Sequence, residues 1–300
     1  MPGHGHAPGS SGSLPASSFW PAEAADRQPL PRDPDTLPAP GPDFDAVVAR
    51  SLDELDLDLT PGMRDAIDAH ARLLLAWNAY VNLTAIREPA GIALEHVADS
   101  LAAVPLLLDR LAAARRPRRP TGLLDLGSGA GYPGLPVSLA IPAGHAVLMD
   151  SVGRRAAFLE VAARAAARAF DAHGEEPVPI RVLQARAEAL GRDPQHRDQW
   201  EIVTARAVAP MPRLVELALP LVRPGGLLLA WKRDAGDGAL EAELATALPL
   251  MEALGADPEP VVEQVTVDGL RDHRLVVVPK RSATPQRWPR PASHRRPLLP

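Results

Sequence analysis

The segment best suited to chemistry is a glycine-rich loop that directly follows a short apolar run. The sequence reads LLDLGSGAGYPG from Leu123 to Gly134. Gly127, Gly129 and Gly131 would let the backbone approach a ligand closely, and Pro133 is suited to open a helix whose N-terminus offers free N–H groups. A glycine-rich loop alone is a weak signal, so an ordinary tight turn remains the alternative.

The spacing of these glycines narrows the class of ligand. A dinucleotide-binding loop needs the pattern G-x-G-x-x-G, but Tyr132 stands where the third glycine would be. Asp125 is instead followed by glycines at alternate positions, which resembles the first motif of class I methyltransferases. This resemblance implies that the ligand is S-adenosylmethionine, whose methionine and ribose parts would lie against the glycine backbone. Asp125 would take up its ammonium group directly or through water.

Further candidate residues come directly after other apolar runs. A carboxylate at Asp150 is suited to accept hydrogen bonds from two ribose hydroxyls, or to cap the helix that follows. Ala187 and Glu188 would lie where backbone groups read an adenine, or would simply form the first turn of a helix. Arg206 would face the ligand at the end of its strand, and a structural salt bridge is its alternative role.

A parallel sheet would bring these residues together, and the apolar runs predict one. Seven short runs are candidate strands, and helical patterns follow the first five of them. The runs cover residues 122–126, 146–150, 180–184, 201–205, 226–231, 261–267 and 274–280. This alternation predicts an α/β fold with a mostly parallel seven-stranded sheet, and the last two runs predict a β-hairpin at one edge. The fold expected is that of a class I, Rossmann-like S-adenosylmethionine methyltransferase.

The remainder of the chain differs from this region in composition. Before the first candidate strand, apolar residues recur at helical spacing. One helix would start at Thr60 and Pro61, and a second would run from about Pro89 to Leu111. The first residues are rich in Pro, Gly, Ser and Ala and have no periodic apolar pattern, which predicts disorder. The predicted regions are a disordered extension (1–42), a helical region (43–116), the cofactor-binding domain (117–281) and a basic, Pro-rich tail (282–300).

Composition excludes several classes of site. The chain has 300 residues, 46% of them hydrophobic, and no cysteine, so disulfides, thiolate nucleophiles and Cys-ligated metals are excluded. We expect no metal site. The N-terminus lacks the basic and apolar regions of a secretory signal, and we expect no apolar run to approach the length of a membrane span. A cytoplasmic protein without membrane contact, monomeric by default, is the expectation.

Net charge bears on the binding of nucleic acid. The formal value of −5 argues against binding through bulk positive charge, so an RNA substrate would need a local basic patch. Two stretches could supply it, the second of which contains no acidic residue. Their arginines are Arg115, Arg116, Arg118 and Arg119 in the first, and Arg281, Arg287, Arg290, Arg295 and Arg296 in the second, which runs from Lys280 to Pro300.

Several motifs occur together in a specific order. The sequence has NLT at 82–84, H-x-x-D-S at 96–100, the glycine loop, DS-x-x-x-R at 150–155, RAE at 186–188, TARAVA at 204–209, Lys232 and TPQRWPR at 284–290. Over about residues 70–290 the chain resembles the RsmG (GidB-type) family of small-subunit ribosomal RNA guanine-N7 methyltransferases. The glycine loop is shared by many methyltransferases, whereas the NLT, H-x-x-D-S and TARAVA segments together are much more specific.

This resemblance implies a function and a set of site residues. The protein would transfer a methyl group from S-adenosylmethionine to N7 of a guanine in 16S ribosomal RNA, free or in the small ribosomal subunit. The predicted cofactor-binding residues are Gly127, Gly129, Tyr132, Asp150, Ala187, Glu188 and Arg206. His96, Asp99 and Lys232 are candidates for positioning the reactants, and no certain catalytic base is expected. The predicted RNA contacts are Asn82, Arg154, Lys232, Arg287 and Arg290.

Two departures from the family pattern concern the RNA contacts. Family members usually have Gly after the strand-end lysine, where this chain has Arg233, and Trp288 stands where Tyr is common. Two other functions are compatible with the residues. One is methylation of a small molecule or a protein, and the other is a non-enzymatic module that binds RNA.

Overall fold

Seven β-strands form one sheet in a computed structural model of the chain, which describes residues 30–113 and 120–291. The strands are β1 (Gly122–Leu126), β2 (His145–Asp150), β3 (Ile180–Gln184), β4 (Trp200–Arg206), β5 (Val222–Arg233), β6 (Val261–Gln264) and β7 (His273–Pro279). Their order in the sheet is β3-β2-β1-β4-β5-β7-β6. β1 to β5 pair in parallel, whereas β7 is antiparallel to β5 and β6. The predicted α/β fold with a terminal hairpin is confirmed.

The order of the strands shows where a ligand would bind. From β1 the chain continues through β2 and β3 on one side, and then through β4 and β5 on the other. Ligands of open α/β sheets bind at the carboxyl ends of the strands, where the order reverses. All five residues of β1 are buried, as expected for a central parallel strand covered on both faces. The glycine loop after β1 therefore lies at the expected binding position.

Helices cover the sheet and form the region before it. They are α1 (Pro42–Glu54), α2 (Pro61–Asn78), α3 (Pro89–Ile92), α4 (Asp99–Leu101), α5 (Val104–Ala113), α6 (Gly134–Ala140), α7 (Gly153–Ala172), α8 (Ala187–Leu190), α9 (Met211–Ala218) and α10 (Ala239–Ala253). α2 packs along α7, where Trp77 meets Phe158 edge to face with ring centroids 5.4 Å apart. The helical region is thereby tied to the sheet, and the chain from Pro31 onward forms one unit.

The second predicted helix is not continuous. A π-helical stretch, Ala93–Ala98, joins α3 to α4, and a turn at Ala102 and Ala103 precedes α5. Such π-helical turns are frequent at functional sites because they change the direction of the side chains that follow. Here the stretch carries His96 and is followed directly by Asp99, and both residues line a cavity beside the glycine loop.

The same segment corrects an expectation about membrane contact. Pro89–Ala113 is long and apolar enough to span a membrane by length and composition, with a mean hydropathy of 1.4. The expectation that no run reaches this length was therefore wrong. Buried helices of globular proteins can be equally long and apolar, and 61% of this apolar stretch is buried inside the protein.

The start of α2 follows the sequence prediction. Thr60 is the N-cap, its side chain accepts a hydrogen bond from the Met63 amide at 3.3 Å, and Pro61 is the first helical residue. The Thr60 hydroxyl in turn donates to the Glu175 carboxylate, which also accepts from the Gly62 amide at 3.0 Å. This cap therefore joins α2 to the chain segment that follows α7.

Replacing Thr60 by alanine should lower the free energy of unfolding by about 1 kcal/mol, because a backbone N–H loses its cap. Urea denaturation of the purified protein measures this difference. Thr60→Ser is the matched control, since serine keeps the hydroxyl and should remain near the wild-type value. An equal loss in both variants would contradict the capping role.

The ordered chain begins earlier than the sequence predicted. Within the supposed disordered extension, the Trp77 indole donates to the Pro31 carbonyl at 2.7 Å and Arg72 donates to the Leu37 carbonyl at 3.1 Å. Pro34 and Pro40 are buried. Disorder up to residue 42 is therefore wrong for residues 31–41, while residues 1–29 lie outside the described part of the chain.

The described part of the predicted basic tail, residues 282–291, is not a free segment. The buried Arg197 guanidinium donates to the carbonyls of Trp288 at 2.7 Å and Thr284 at 2.6 Å, and Lys280 Nζ donates to Thr284 Oγ1 at 2.6 Å. The indole of Trp288 is 5% exposed. Residues 284–290 are therefore packed on the sheet domain. Arg115, Arg116, Arg118, Arg119, Arg295 and Arg296 lie outside the described residues.

Candidate active site

A cavity of about 530 Å³ lies at the carboxyl ends of β1, β4 and β5, beside the π-helical stretch. Its volume is within the range of small-molecule and cofactor sites. Seven of the predicted site residues line it, namely His96, Asp99, Gly127, Gly129, Tyr132, Arg206 and Lys232. The walls also include Thr84, Glu95, Arg155, Trp231, Arg233 and His273.

The glycine loop needs glycine because of its backbone. Gly127, Gly129 and Gly131 have φ values of +74°, +55° and +88°, a region that residues with a Cβ rarely adopt. A Cβ at Gly127 would also lie 2.9 Å from the Val208 side chain. The tight course of the loop brings its backbone to the cavity surface, as expected for a loop that holds a ligand.

The side chain of Asp125 in β1 packs against the end of the glycine loop. Its carboxylate is fully buried and accepts a hydrogen bond from the Thr204 hydroxyl at 2.7 Å. Gly134 packs directly on it, since a Cβ there would lie 2.5 Å from the Asp125 Oδ2 atom. Burial raises the pKa of Asp125 above its usual value. The carboxylate does not line the cavity, and its uptake of a ligand ammonium, directly or through water, stays a prediction.

Asp150 braces the loop from β2. Its Oδ2 atom accepts from the Gly129 amide at 3.0 Å, and its Oδ1 atom accepts from the Val152 amide at 2.8 Å. The N-cap of α7 is Val152, so the alternative role of Asp150 as this cap was wrong. Arg155 approaches the carboxylate at 3.7 Å and also lines the cavity. Contact with a ribose stays a prediction.

Tyr132 lies between two imidazole rings. The His70 centroid is 4.4 Å from that of Tyr132 and the His96 centroid is 4.9 Å away, both with interplanar angles of 20°. His70 Nε2 donates to the Ala130 carbonyl at 2.7 Å, which ties α2 to the loop. Burial lowers the pKa of His70 to about 4 and raises that of Tyr132, so all three rings are neutral near pH 7.

Arg206 connects the end of β4 to the π-helical stretch. Its Nη1 atom donates to the Glu95 carbonyl at 2.8 Å and to Asp99 Oδ2 at 2.9 Å, and Nη2 lies 2.9 Å from His96 Nδ1. The guanidinium carbon lies 5.8 Å from the centroid of the Tyr132 ring. Arg206 therefore faces the cavity and also forms the structural salt bridge that was its alternative role.

Sequence reasoning missed His273, which completes this cluster. Its Nδ1 atom lies 2.7 Å from Asp99 Oδ1, and both side chains are buried. The Trp231 indole donates to the Asp99 carbonyl at 2.8 Å. No local signal marks His273, because β7 joins Asp99 only through the order of strands in the folded sheet.

At the end of β5, Lys232 and Arg233 point to different partners. Lys232 Nζ lies 2.5 Å from Glu243 Oε1 and donates to the Ala209 carbonyl at 3.1 Å. Arg233 is exposed and pairs with Glu95 at 2.9 Å and with Asp272 at 3.4 Å. The residue that departs from the family pattern thus links β5 to the π-helical stretch at the rim of the cavity.

The remaining predicted residues lie outside the cavity walls. Ala187 is buried, and Glu188 pairs with Arg213 at 2.6 Å. Arg290 pairs with the buried Glu216 at 2.9 Å, which favours a structural role over the RNA contact expected of it. Exposed positions are held by Asn82, Arg154 and Arg287. In the 150–155 motif, Arg155 rather than Arg154 reaches the cavity.

Comparison with known proteins shows which family the sequence belongs to. The sequence profile described as rRNA small subunit methyltransferase G matches residues 63–248. The chain belongs to this family. It is 40% identical to Ribosomal RNA small subunit methyltransferase G of Roseiflexus castenholzii over 75% of this chain and 88% of the relative. Its identity to the protein of that name from Roseiflexus sp. strain RS-1 is 42%, over 72% and 83%.

A third relative of the same name has a lower sequence identity to this chain. Ribosomal RNA small subunit methyltransferase G of Streptococcus equi subsp. zooepidemicus is 36% identical over 81% of this chain and 93% of its own length. The methyl donor of the family is S-adenosylmethionine, and the described residues fit it. The cavity is large enough, the glycine loop exposes its backbone to it, and the Tyr132 hydroxyl is buried without a hydrogen-bond partner among the described residues.

Proposed function

We propose that this protein transfers the methyl group of S-adenosylmethionine to N7 of a guanine in 16S ribosomal RNA. Membership of the methyltransferase G family carries the proposal, and the cavity beside the glycine loop supports it. Gly127, Gly129, Asp150 and Tyr132 would hold the cofactor, which supplies an electrophilic methyl group on sulfur when bound. Ala187 and Glu188 in α8 would lie near the adenine.

The reaction requires positioning more than proton transfer. Guanine N7 carries a lone pair in the plane of the ring and no proton, so no general base must act before it attacks. The protein has to hold the base at attack distance and in line with the methyl group. His96, neutral because burial and Arg206 lower its pKa to about 3, is therefore suited to hold a neighbour in place by hydrogen bonding. Asp99, bound to Arg206 and His273, fixes that wall.

The RNA would approach over the exposed residues around the cavity. Lys232 uses two of its three N–H donors within the protein, so a third can reach an acceptor on the RNA. We propose Asn82, Arg154 and Arg287 as further contacts, because the family resemblance implies them and their side chains are exposed. Arg287 belongs to the segment that is anchored beside the amino ends of β4 and β5, so its contact would lie away from the cavity. Arg290 is already paired with Glu216 and contributes less. The target guanine must be unpaired or extruded, since enzymes acting on a base take it out of the stack.

The cellular setting follows from this substrate. We propose a monomer that acts in the cytoplasm on the small ribosomal subunit or on its RNA, without membrane contact. The other functions compatible with the sequence are methylation of a different substrate and non-enzymatic RNA binding. The family membership favours neither of them.

Methyl transfer from labelled S-adenosylmethionine to small ribosomal subunits and to deproteinised 16S RNA tests the proposal. We expect N7-methylguanosine, identified by mass spectrometry of the digested RNA. Thermal stabilisation of the protein by the cofactor is measured in parallel, because a ligand that binds the folded state raises its stability. Cofactor binding without RNA labelling would refute the RNA substrate, and absence of both would refute the enzyme.

A further inference from the structure

The hydrogen-bond directions around His96 follow from the chemistry of its partners. Arg206 Nη2 lies 2.9 Å from His96 Nδ1, and a guanidinium nitrogen only donates. Nδ1 is therefore an acceptor, and the single proton of the neutral imidazole is on Nε2. The Glu95 carbonyl oxygen lies farther from Nδ1, at 3.1 Å, and is the peptide oxygen of the preceding residue. A proton on Nδ1 would point at the Arg206 N–H group.

This assignment fixes the role of the Thr84 hydroxyl. His96 Nε2 lies 2.8 Å from Thr84 Oγ1 and donates to it, and the Ile86 amide donates to the same oxygen at 3.2 Å. A hydroxyl oxygen has two lone pairs, so both are occupied. The O–H proton of Thr84 remains, and the described part of the chain offers no acceptor for it. Thr84 is thus a donor without an acceptor on the cavity wall.

The position of Thr84 points to the substrate rather than to the cofactor. Thr84 is separated from the glycine loop by one side chain. Tyr132 of the loop stacks on His96, and His96 donates a hydrogen bond to Thr84. The hydroxyl belongs to the connection between α2 and α3, on the wall formed by the helical region. The base to be methylated must enter the same cavity with its N7 edge towards the methyl group.

We propose that Thr84 is a specificity-determining residue whose hydroxyl donates a hydrogen bond to O6 of the target guanine. This inference rests on the proposed function. O6 is an acceptor next to N7 on the same edge of guanine, whereas adenine carries an N6 amino donor there. With both lone pairs of Thr84 occupied, adenine would place a donor against a donor. A site built to hydrogen-bond one group rejects an analogue that leaves its polar atoms unpaired.

The test uses 16S RNA in which the mapped target guanine is replaced by ligation. 2-Aminopurine lacks O6 but keeps N7 and the 2-amino group, whereas hypoxanthine keeps O6 and N7 and is the matched control. We expect the wild-type enzyme to lose about tenfold or more in kcat/KM on 2-aminopurine, the size of one hydrogen bond. Hypoxanthine should stay within about threefold of guanine. Equal rates on guanine and 2-aminopurine would overturn the proposal without any variant.

Two substitutions separate recognition of the base from support of the cavity wall. Thr84→Ser keeps the hydroxyl and should retain activity within about threefold. Thr84→Val should lower kcat/KM on guanine by about tenfold or more. On 2-aminopurine the variant should have nearly the same kcat/KM as the wild type, because that base cannot make the contact. A Thr84→Val loss of the same factor on both bases would mean a purely structural role and would overturn the proposal. Failure of the wild-type enzyme to methylate guanine N7 at all would instead refute the proposed function, and this inference with it.

Discussion

Replacing Arg206 by methionine should reduce methyl transfer to 16S RNA by about a hundredfold or more and lower the free energy of unfolding by about 3–5 kcal/mol. The side chain of Asp99 is only 2% exposed and is paired with Arg206 at 2.9 Å. Removing Arg206 leaves the buried Asp99 carboxylate with the hydrogen bond from His273 but without its arginine partner, and breaking a buried ion pair costs far more than breaking a surface pair. His96 Nδ1 and the Glu95 carbonyl also lose their donor.

The loss of activity should exceed what the loss of stability explains. Arg206 holds the wall that carries His96, and through His96 the donor to Thr84. Displacement of reacting groups by about 1 Å can cost about a hundredfold in rate. Arg206→Lys should recover only part of the activity, because one ammonium group cannot reproduce the forked geometry that spans the Glu95 carbonyl, Asp99 and His96.

Arg233→Met provides the matched control for this prediction. Arg233 is also an arginine that pairs near the π-helical stretch, but its side chain is 61% exposed. Its loss should cost at most about 1 kcal/mol, as for other exposed ion pairs. Urea denaturation and single-turnover methyl transfer at a temperature where all variants are folded measure both quantities. Equal effects of the two substitutions would show that the buried cluster around Asp99 has no special role.

Local patterns were sufficient to predict most of the fold. Each apolar run became a strand within a few residues, although β5 begins at Val222 rather than near 226 and β6 ends at Gln264 rather than near 267. Periodicity and turn residues act over short windows, and so does the N-cap at Thr60. The glycine loop was predictable for the same reason, because positive φ values at Gly127 and Gly131 leave a direct mark on the sequence.

Contacts between distant segments were not predictable in this way. Asp99 and His273 meet because β7 inserts between β5 and β6, and nothing in either segment specifies that neighbour. His70 fitted the apolar face of α2, and its contact with Ala130 depends on how that helix packs on the loop. Arg290 was predicted to contact RNA from the family resemblance and its place in a basic segment, yet Glu216 lies opposite it. Charge shows what a side chain can do, whereas its partner is decided by tertiary packing.

The second large effect concerns pH and the imidazole of His70. Burial lowers the pKa of His70 from an unfolded value of 6.5 to about 4. Between these values the unfolded chain binds a proton that the folded protein does not, so stability falls as the pH falls from 6.5 towards 4. Above pH 6.5 both states are neutral and the contribution is constant. Over the whole window the loss from this residue is about 3 kcal/mol.

His70→Gln isolates this contribution, since glutamine has an N–H donor for the Ala130 carbonyl but does not titrate. Lowering the pH from 7 to 5 should reduce the free energy of unfolding by about 2 kcal/mol more in the wild type than in the variant. His96, with its pKa lowered mainly by burial, is present in both proteins, and because the charge of His70 is the smallest cause of that shift, its contribution differs little between them. Urea denaturation at the two pH values gives the difference directly. Identical pH dependence would mean that His70 accepts a proton in the folded protein, and that the stack of His70, Tyr132 and His96 opens to water beside the cofactor loop.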